Sequence, residues 1–375
     1  MMIKKIKNFF HFNKIKIKEE NEWLLSPPID RTLPGSRLLP YPAVCQPTVE
    51  QINGGEVPDF PAYIAVEITN VCNLQCVHCN YRYGLDHYTR DRGFISRGIL
   101  EKVLKEAKGN GATVLMNYDG EPLMHKNFLE YLEYATELGL NTYFNTNGTL
   151  FSKDFADRIV KFYKGSIFFS IDGNKEWMEK IRIPAKYDKV VENLNYFLKV
   201  NEEHGWPITV GVSLCNLGQT PHERKAFLYE WLPKVNYVSM GEVNDKFGTM
   251  ISDPMTVLKI KKRPICVVPW QTCGICFNGD VIPCSIYVTR ANTTNAIFGN
   301  VNNQSIKEIW HGDAFQNFRK MVAEERYEKS YCDKCQRWFS QFYFPAVIEN
   351  EVKIERNGYW TTYQNLKKGR LNFRE

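Results

Sequence analysis

The chain has 375 residues, 43% of them apolar and 24% charged, a composition that excludes a disordered or fibrous polymer. Its formal charge of +6 equals that of Lys4, Lys5, Lys7, Lys14, Lys16 and Lys18, in a stretch without an acid, so the remainder is near neutral and a nucleic-acid partner is not expected. No apolar run approaches the roughly 20 residues that span a bilayer. The basic start lacks the apolar core of a secretory signal, so we expect a cytoplasmic protein with no transmembrane segment and with its cysteines reduced.

Residues 1–60 read as a basic, proline-rich extension. Pro27, Pro28, Pro34, Pro40, Pro42, Pro47 and Pro58 remove backbone donors and disfavour helix before them. From residue 61, strand-like and helix-like stretches alternate, as parallel β/α units do. Strands are expected over 63–69, 113–118, 141–146, 166–171, 208–214 and 237–240. Between them, helices are expected from Ser96, over 127–138, after Ser152, over 187–201 and from Pro221, where Thr220 and Glu223 spell a capping box. Six units without room for two more predict an α/β fold, a partial (β/α)6 barrel over 61–255 rather than a closed eight-stranded one.

Cys72, Cys76 and Cys79 follow the first expected strand. A 4Fe-4S cluster takes four thiolates, so three on one loop leave one iron open, and open metal positions are where substrates and cofactors bind. The C-x3-C-x2-C spacing resembles the cluster loop of the radical S-adenosylmethionine (radical SAM) superfamily, and that resemblance implies that SAM completes the fourth iron. Zinc is the alternative for such thiols, but no second ligand arm lies nearby.

The resemblance also implies a SAM pocket on the loops after the strands, the edge where parallel barrels do their chemistry. His78 takes the place of an aromatic that packs on the adenine. Asp119, Gly120, Glu121 and Pro122 resemble the family's Gly-Gly-Glu-Pro element, with Asp in place of the first Gly. Asn147 resembles a wall residue, Ser170 and Asp172 the ribose contacts on alternate positions of a strand end, and Arg182 a partner of the SAM carboxylate. Tyr118, Glu242 and Asn244 are further pocket candidates.

A second cysteine group falls within 256–345. Cys266, Gly279, Cys284 and the later Cys332 and Cys335 resemble the SPASM and twitch domains behind radical SAM cores, which implies one auxiliary 4Fe-4S cluster on those four cysteines. Cys273 and Cys276 are possible substitutes, and zinc on Cys273/Cys276 with Cys332/Cys335 is a competing arrangement. Residues 346–375 read as a tail.

The resemblance implies an oxidoreductase that cleaves SAM to a 5′-deoxyadenosyl radical and abstracts a hydrogen atom, with a flavodoxin- or ferredoxin-like electron donor. The expected substrate is a small polar or sugar-like molecule oxidised with the auxiliary cluster as electron acceptor. Peptide or protein maturation is the first alternative, and a non-catalytic iron-sulfur or zinc scaffold the second.

Overall fold

The structure, a computed structural model, describes residues 52, 55–79, 90–242, 263, 265–284, 296–333, 335, 338, 343–349, 351–357 and 360–368. The lysine arm, all the prolines of the extension except Pro58, and Cys45 and Asn244 lie outside the described residues, as does the side chain of Glu242. No described helix is long and apolar enough to cross a membrane.

Six parallel strands form the centre: β1 (Tyr63–Val66), β2 (Thr113–Leu115), β3 (Thr142–Thr146), β4 (Ser166–Ser170), β5 (Thr209–Asn216) and β6 (Tyr237–Glu242), each paired with the next. The helices start where the sequence says. Ser96 caps α1 (Arg97–Gly109), and Leu100, Val103, Leu104 and Ala107 bury its apolar stripe. After β2 comes α2 (Phe128–Glu137), and Ser152 caps α3 (Lys153–Ile159). Next is α4 (Lys175–Ile181), capped by Asn174 and too short to leave a periodic signal. The long α5 (Tyr187–Glu203) precedes β5, and α6 (Pro221–Trp231) opens on the expected Thr220–Glu223 capping box.

The helices cover one face of this sheet. Ile64, Val66, Val114, Phe144, Ile167, Phe169, Val212 and Val238 point into a single core with Leu100, Leu132, Leu194, Phe197 and Trp231. Alternate residues Tyr63, Ala65, Tyr143, Phe168 and Tyr237 form an aromatic patch on the opposite face.

The sheet is open but does not stop at six strands. At the β1 edge, β7 (Thr272–Ile275) pairs parallel, followed by antiparallel β8 (Asp280–Ile282) and β9 (Gly299–Asn300), with α7 (Ile306–His311) and α8 (Asp313–Ala323) behind them. At the other edge, β12 (Trp360–Asn365) pairs antiparallel with β6, then β11 (Val352–Asn357) and β10 (Tyr343–Glu349), giving twelve strands among the described residues. The segment read as a tail is therefore largely sheet. Its polar composition hid a period of two: Val352 and Ile354 are buried in the main core while Lys353 and Glu355 face the other way.

Candidate metal centres

The loop of Cys72, Cys76 and Cys79 leaves the end of β1 and is held from several sides. Gln75 and Val77 donate backbone N–H bonds to Ile183, just past α4, and to Ile181, its last residue, at 2.6 and 2.8 Å, so the loop runs alongside that segment. Below it, Gly120 has φ +69, and a Cβ there would sit 2.5 Å from Thr69 O and 2.7 Å from Val71 O. Only glycine lets the chain after β2 lie against the root of the loop, where Glu121 N–H bonds Val71 O at 2.9 Å.

Glu121 is buried, and its carboxylate accepts from Thr146 Oγ1 at 2.8 Å, Asn147 N at 2.7 Å and Leu123 N at 3.3 Å. Burial pushes this carboxyl up to about 7, against those hydrogen bonds. Its side chain thus braces the β2 and β3 exits to each other. Asn147, in turn, donates to Asn73 Oδ1 at 2.9 Å, and its Nδ2 lies 4.0 Å from Cys72 Sγ. It fixes the start of the cysteine loop.

Asp172 and Arg182, which the sequence assigned to different ends of SAM, meet each other. Arg182 Nη2 is 2.7 Å from Asp172 Oδ2 and its Nη1 is 3.9 Å from Cys76 Sγ, with both side chains buried. Burial works against the guanidinium's charge, but Asp172 and the neighbouring thiols outweigh it and hold its pKa above normal. His78 Nε2 approaches the same carboxylate at 4.0 Å. The alternation expected of Ser170 and Asp172 does not hold, because β4 ends at Ser170 and Asp172 adopts φ +61. Both Ile171 N–H and Asp172 N–H turn to Ser213 O, and Asp172 Oδ1 accepts from Cys215 N at 2.7 Å.

Burial pushes the Cys72 thiol up to about 12 and the Cys76 thiol to about 11, the latter offset in part by Arg182. Each is raised further by the other thiols of the loop, so the sulfurs share one small region. Binding a metal there must release protons. Among the described residues no three His, Cys, Asp or Glu side chains close on one point as a single ion would require. Three soft thiolates on one short loop suit an iron-sulfur cluster.

The second cysteine group behaves similarly. Cys266, Cys284, Cys332 and Cys335 line one cavity, together with Arg263, Pro269 and Tyr331. Cys273 instead points from β7 into the main core, and Cys276 is fully buried beside the cavity without lining it. The two-armed zinc arrangement is not formed, because neighbouring strand residues point to opposite faces and Cys273 turns away from Cys332 and Cys335.

One element escaped the sequence reading. Glu67, just past β1, is fully buried and takes Arg90 in a two-pronged ion pair at 2.7 and 2.6 Å. Its Oε2 also accepts from Phe277 N at 3.0 Å, in the β7–β8 turn. The pair ties both ends of the cysteine loop to the C-terminal hairpin. A Glu within an apolar strand was its only sequence signal.

A model of the radical SAM superfamily matches residues 66–228, and one of the SPASM iron-sulfur cluster-binding domain matches 266–336. An AdoMet-dependent heme synthase of Methanosarcina barkeri is 28% identical over 42% of this chain, a match that spans only 44% of that relative. The antilisterial bacteriocin subtilosin biosynthesis protein AlbA of Bacillus subtilis is 24% identical over 77% of this chain and 68% of its own length. Among solved structures, Streptococcus suis SuiB bound to precursor peptide SuiA shares the fold, with a TM-score of 0.59 at 16% identity over 76% of this chain and 72% of that one. With a cysteine loop at the exit of β1 and a cysteine-lined cavity behind the sheet, this chain belongs to the radical SAM superfamily and carries a SPASM domain.

Proposed function

We propose that this chain is a radical SAM maturase acting on a peptide or protein, with Cys72, Cys76 and Cys79 as the ligands of the SAM-binding 4Fe-4S cluster. Cys266, Cys284, Cys332 and Cys335 are the ligands we assign to an auxiliary cluster, whose four filled positions leave none for substrate and suit it to electron transfer. When bound, the first cluster and SAM supply a 5′-deoxyadenosyl radical that takes a hydrogen atom from the substrate. The observation that carries the reading is the gathering of three buried or half-buried thiols with the Arg182–Asp172 pair at the C-terminal edge of the parallel strands.

The chain's own residues prepare that edge. Arg182 offers positive charge to the Cys76 thiolate, and Asp172 holds the guanidinium in place. Glu121 and Asn147 fix the β3 exit against Cys72. Gly120 lets the backbone come close, so the peptide groups of Asp119 to Pro122, with Ser170 and His78, are the SAM contacts we retain. Protein electrostatics and positioning surround chemistry that the cofactor carries.

For the substrate we place a peptide ahead of the small sugar-like alcohol expected from the sequence. The subtilosin biosynthesis protein is matched across 77% of this chain, and the fold neighbour SuiB was solved with a precursor peptide. A flavodoxin- or ferredoxin-like protein is the electron donor we propose. Anaerobic reconstitution tests the assignment: about eight irons per chain and dithionite-driven 5′-deoxyadenosine are expected. Cys72→Ala should abolish the nucleoside, Cys266→Ala should lower iron, and Cys273→Ala should leave iron unchanged. Zinc retention without a SAM-responsive cluster would sink the reading.

A further inference from the structure

On the sheet face away from the helices, one cross-strand row runs from Ser170 through Ser213, Ser239 and Thr362 to Glu355. Paired residues share a face. Phe168 and Tyr237, two residues before Ser170 and Ser239, belong to the aromatic patch and so identify that face. Ser239 and Thr362 join hydroxyls at 2.9 Å. The three serines and Glu355 are half-buried and Thr362 between them is buried, so the row is open to a ligand over part of its course.

The row starts two residues before Asp172, beside the cysteine loop, and crosses four interstrand gaps, about 19 Å along the sheet. At its far end, Glu355 Oε1 meets Lys353 Nζ at 2.6 Å, while the buried Oε2 has no hydrogen-bond partner among the described residues. Tyr237 Oη, on a side chain only 1% exposed, is in the same condition. Burial, and then the charge of Glu355, pushes this phenol above its ordinary range. One row nearer the barrel mouth, the Trp360 indole lies flat on Gly241, where a Cβ would come within 2.5 Å of the ring. Buried acceptors are seldom left unmatched without reason.

We infer that the C-terminal sheet is a wall of the substrate site, and that Thr362 and Glu355 bind an extended peptide, with Glu355 Oε2 accepting one of its N–H groups. The inference rests on the peptide reading above and adds where the peptide lies. With Ser170 kept for SAM, the three gaps from Ser213 to Glu355, about 14 Å, accommodate roughly four residues of extended chain, whereas one sugar ring would occupy only part of the row. Hydroxyls both donate and accept, matching the alternating groups of a peptide backbone, and the carboxylate takes donors only. Trp360 supplies a flat apolar wall for a side chain beside that track.

The test uses the full-length, iron-reconstituted, SAM-loaded protein, immobilised and exposed to a random octapeptide library, with retained peptides measured by mass spectrometry. Glu355→Gln still offers Lys353 an oxygen and Thr362→Val keeps shape and strand preference, and thermal melting confirms that each folds. Retention should fall about tenfold or more in Glu355→Gln, as loss of a charged hydrogen-bond acceptor predicts, and severalfold in Thr362→Val. Equal retention by both folded variants, or no retention by the wild type, would overturn the wall. Formation of 5′-deoxyadenosine by the same wild-type preparation is scored separately. Cleavage without retention removes the peptide wall and leaves the radical chemistry standing. Retention that depends on Glu355 without cleavage supports the wall and removes the radical assignment.

Discussion

Replacing Glu67 by Gln tests the architecture around the cysteine loop without reference to any cofactor. Glu67 is fully buried, and the Arg90 side chain that it grips is 5% exposed. Removing the charge leaves a guanidinium inside the protein without its counterion, and breaking such pairs costs about 3–5 kcal/mol. The Gln carbonyl still accepts one N–H from Arg90 or Phe277, so the lower end, about 3 kcal/mol, is expected. Urea unfolding of the cofactor-free chain, followed by circular dichroism, measures it. The double variant Glu67→Leu with Arg90→Met should recover a large part of the loss, because paired hydrophobic replacements at buried ion pairs are often neutral, and the resulting cycle isolates the pair. A Glu67→Gln loss below about 1 kcal/mol, or a double variant no better than the single, would refute the claim that this pair anchors the loop.

Gly120→Ala should lose about 1–3 kcal/mol from backbone strain and more from the contacts at 2.5 and 2.7 Å, with lower iron loading as the cysteine loop shifts. Gly111→Ala, at φ +68 with nothing within 4 Å, carries the strain alone, so equal melting shifts in the two variants would refute the steric part. For Glu121 the folded pKa of about 7 lies above its ordinary value of 4.5, so the folded state holds the proton more tightly. The stabilisation is full below about pH 4.5 and is lost as pH rises towards 7. Glu121→Gln should flatten that part of the cofactor-free stability profile, and an unchanged slope between pH 5 and 7 would contradict the burial argument.

Much of the centre was legible because local signals agreed with one another. Caps at Ser96, Ser152 and Thr220, runs of β-branched and aromatic residues, and the spacing of Cys72, Cys76 and Cys79 each follow from rules that act within a few residues. The four cysteines that line the second cavity are those implied by the SPASM resemblance, although they are far apart in sequence. The side chains around the cysteine loop take partners that the sequence did not reveal. Asp172 looked like a ligand contact by strand alternation, but the strand ends two residues earlier and a left-handed residue redirects it onto Arg182. The Glu121 side chain braces two loops, a role the sequence did not suggest.

Sequence by itself determined the six β/α units and the cysteine loop that follows the first strand, because hydrophobic period, capping and cysteine spacing are short-range properties. Tertiary structure alone decided which charges neutralise each other, that Cys273 faces the core while Cys266 faces the cavity, and that residues 343–365 extend the sheet beyond β6. The placing of Cys273 on β7 and of the added strands depends on pairing between segments more than a hundred residues apart, and partner and register are set by burying both faces of the sheet at once.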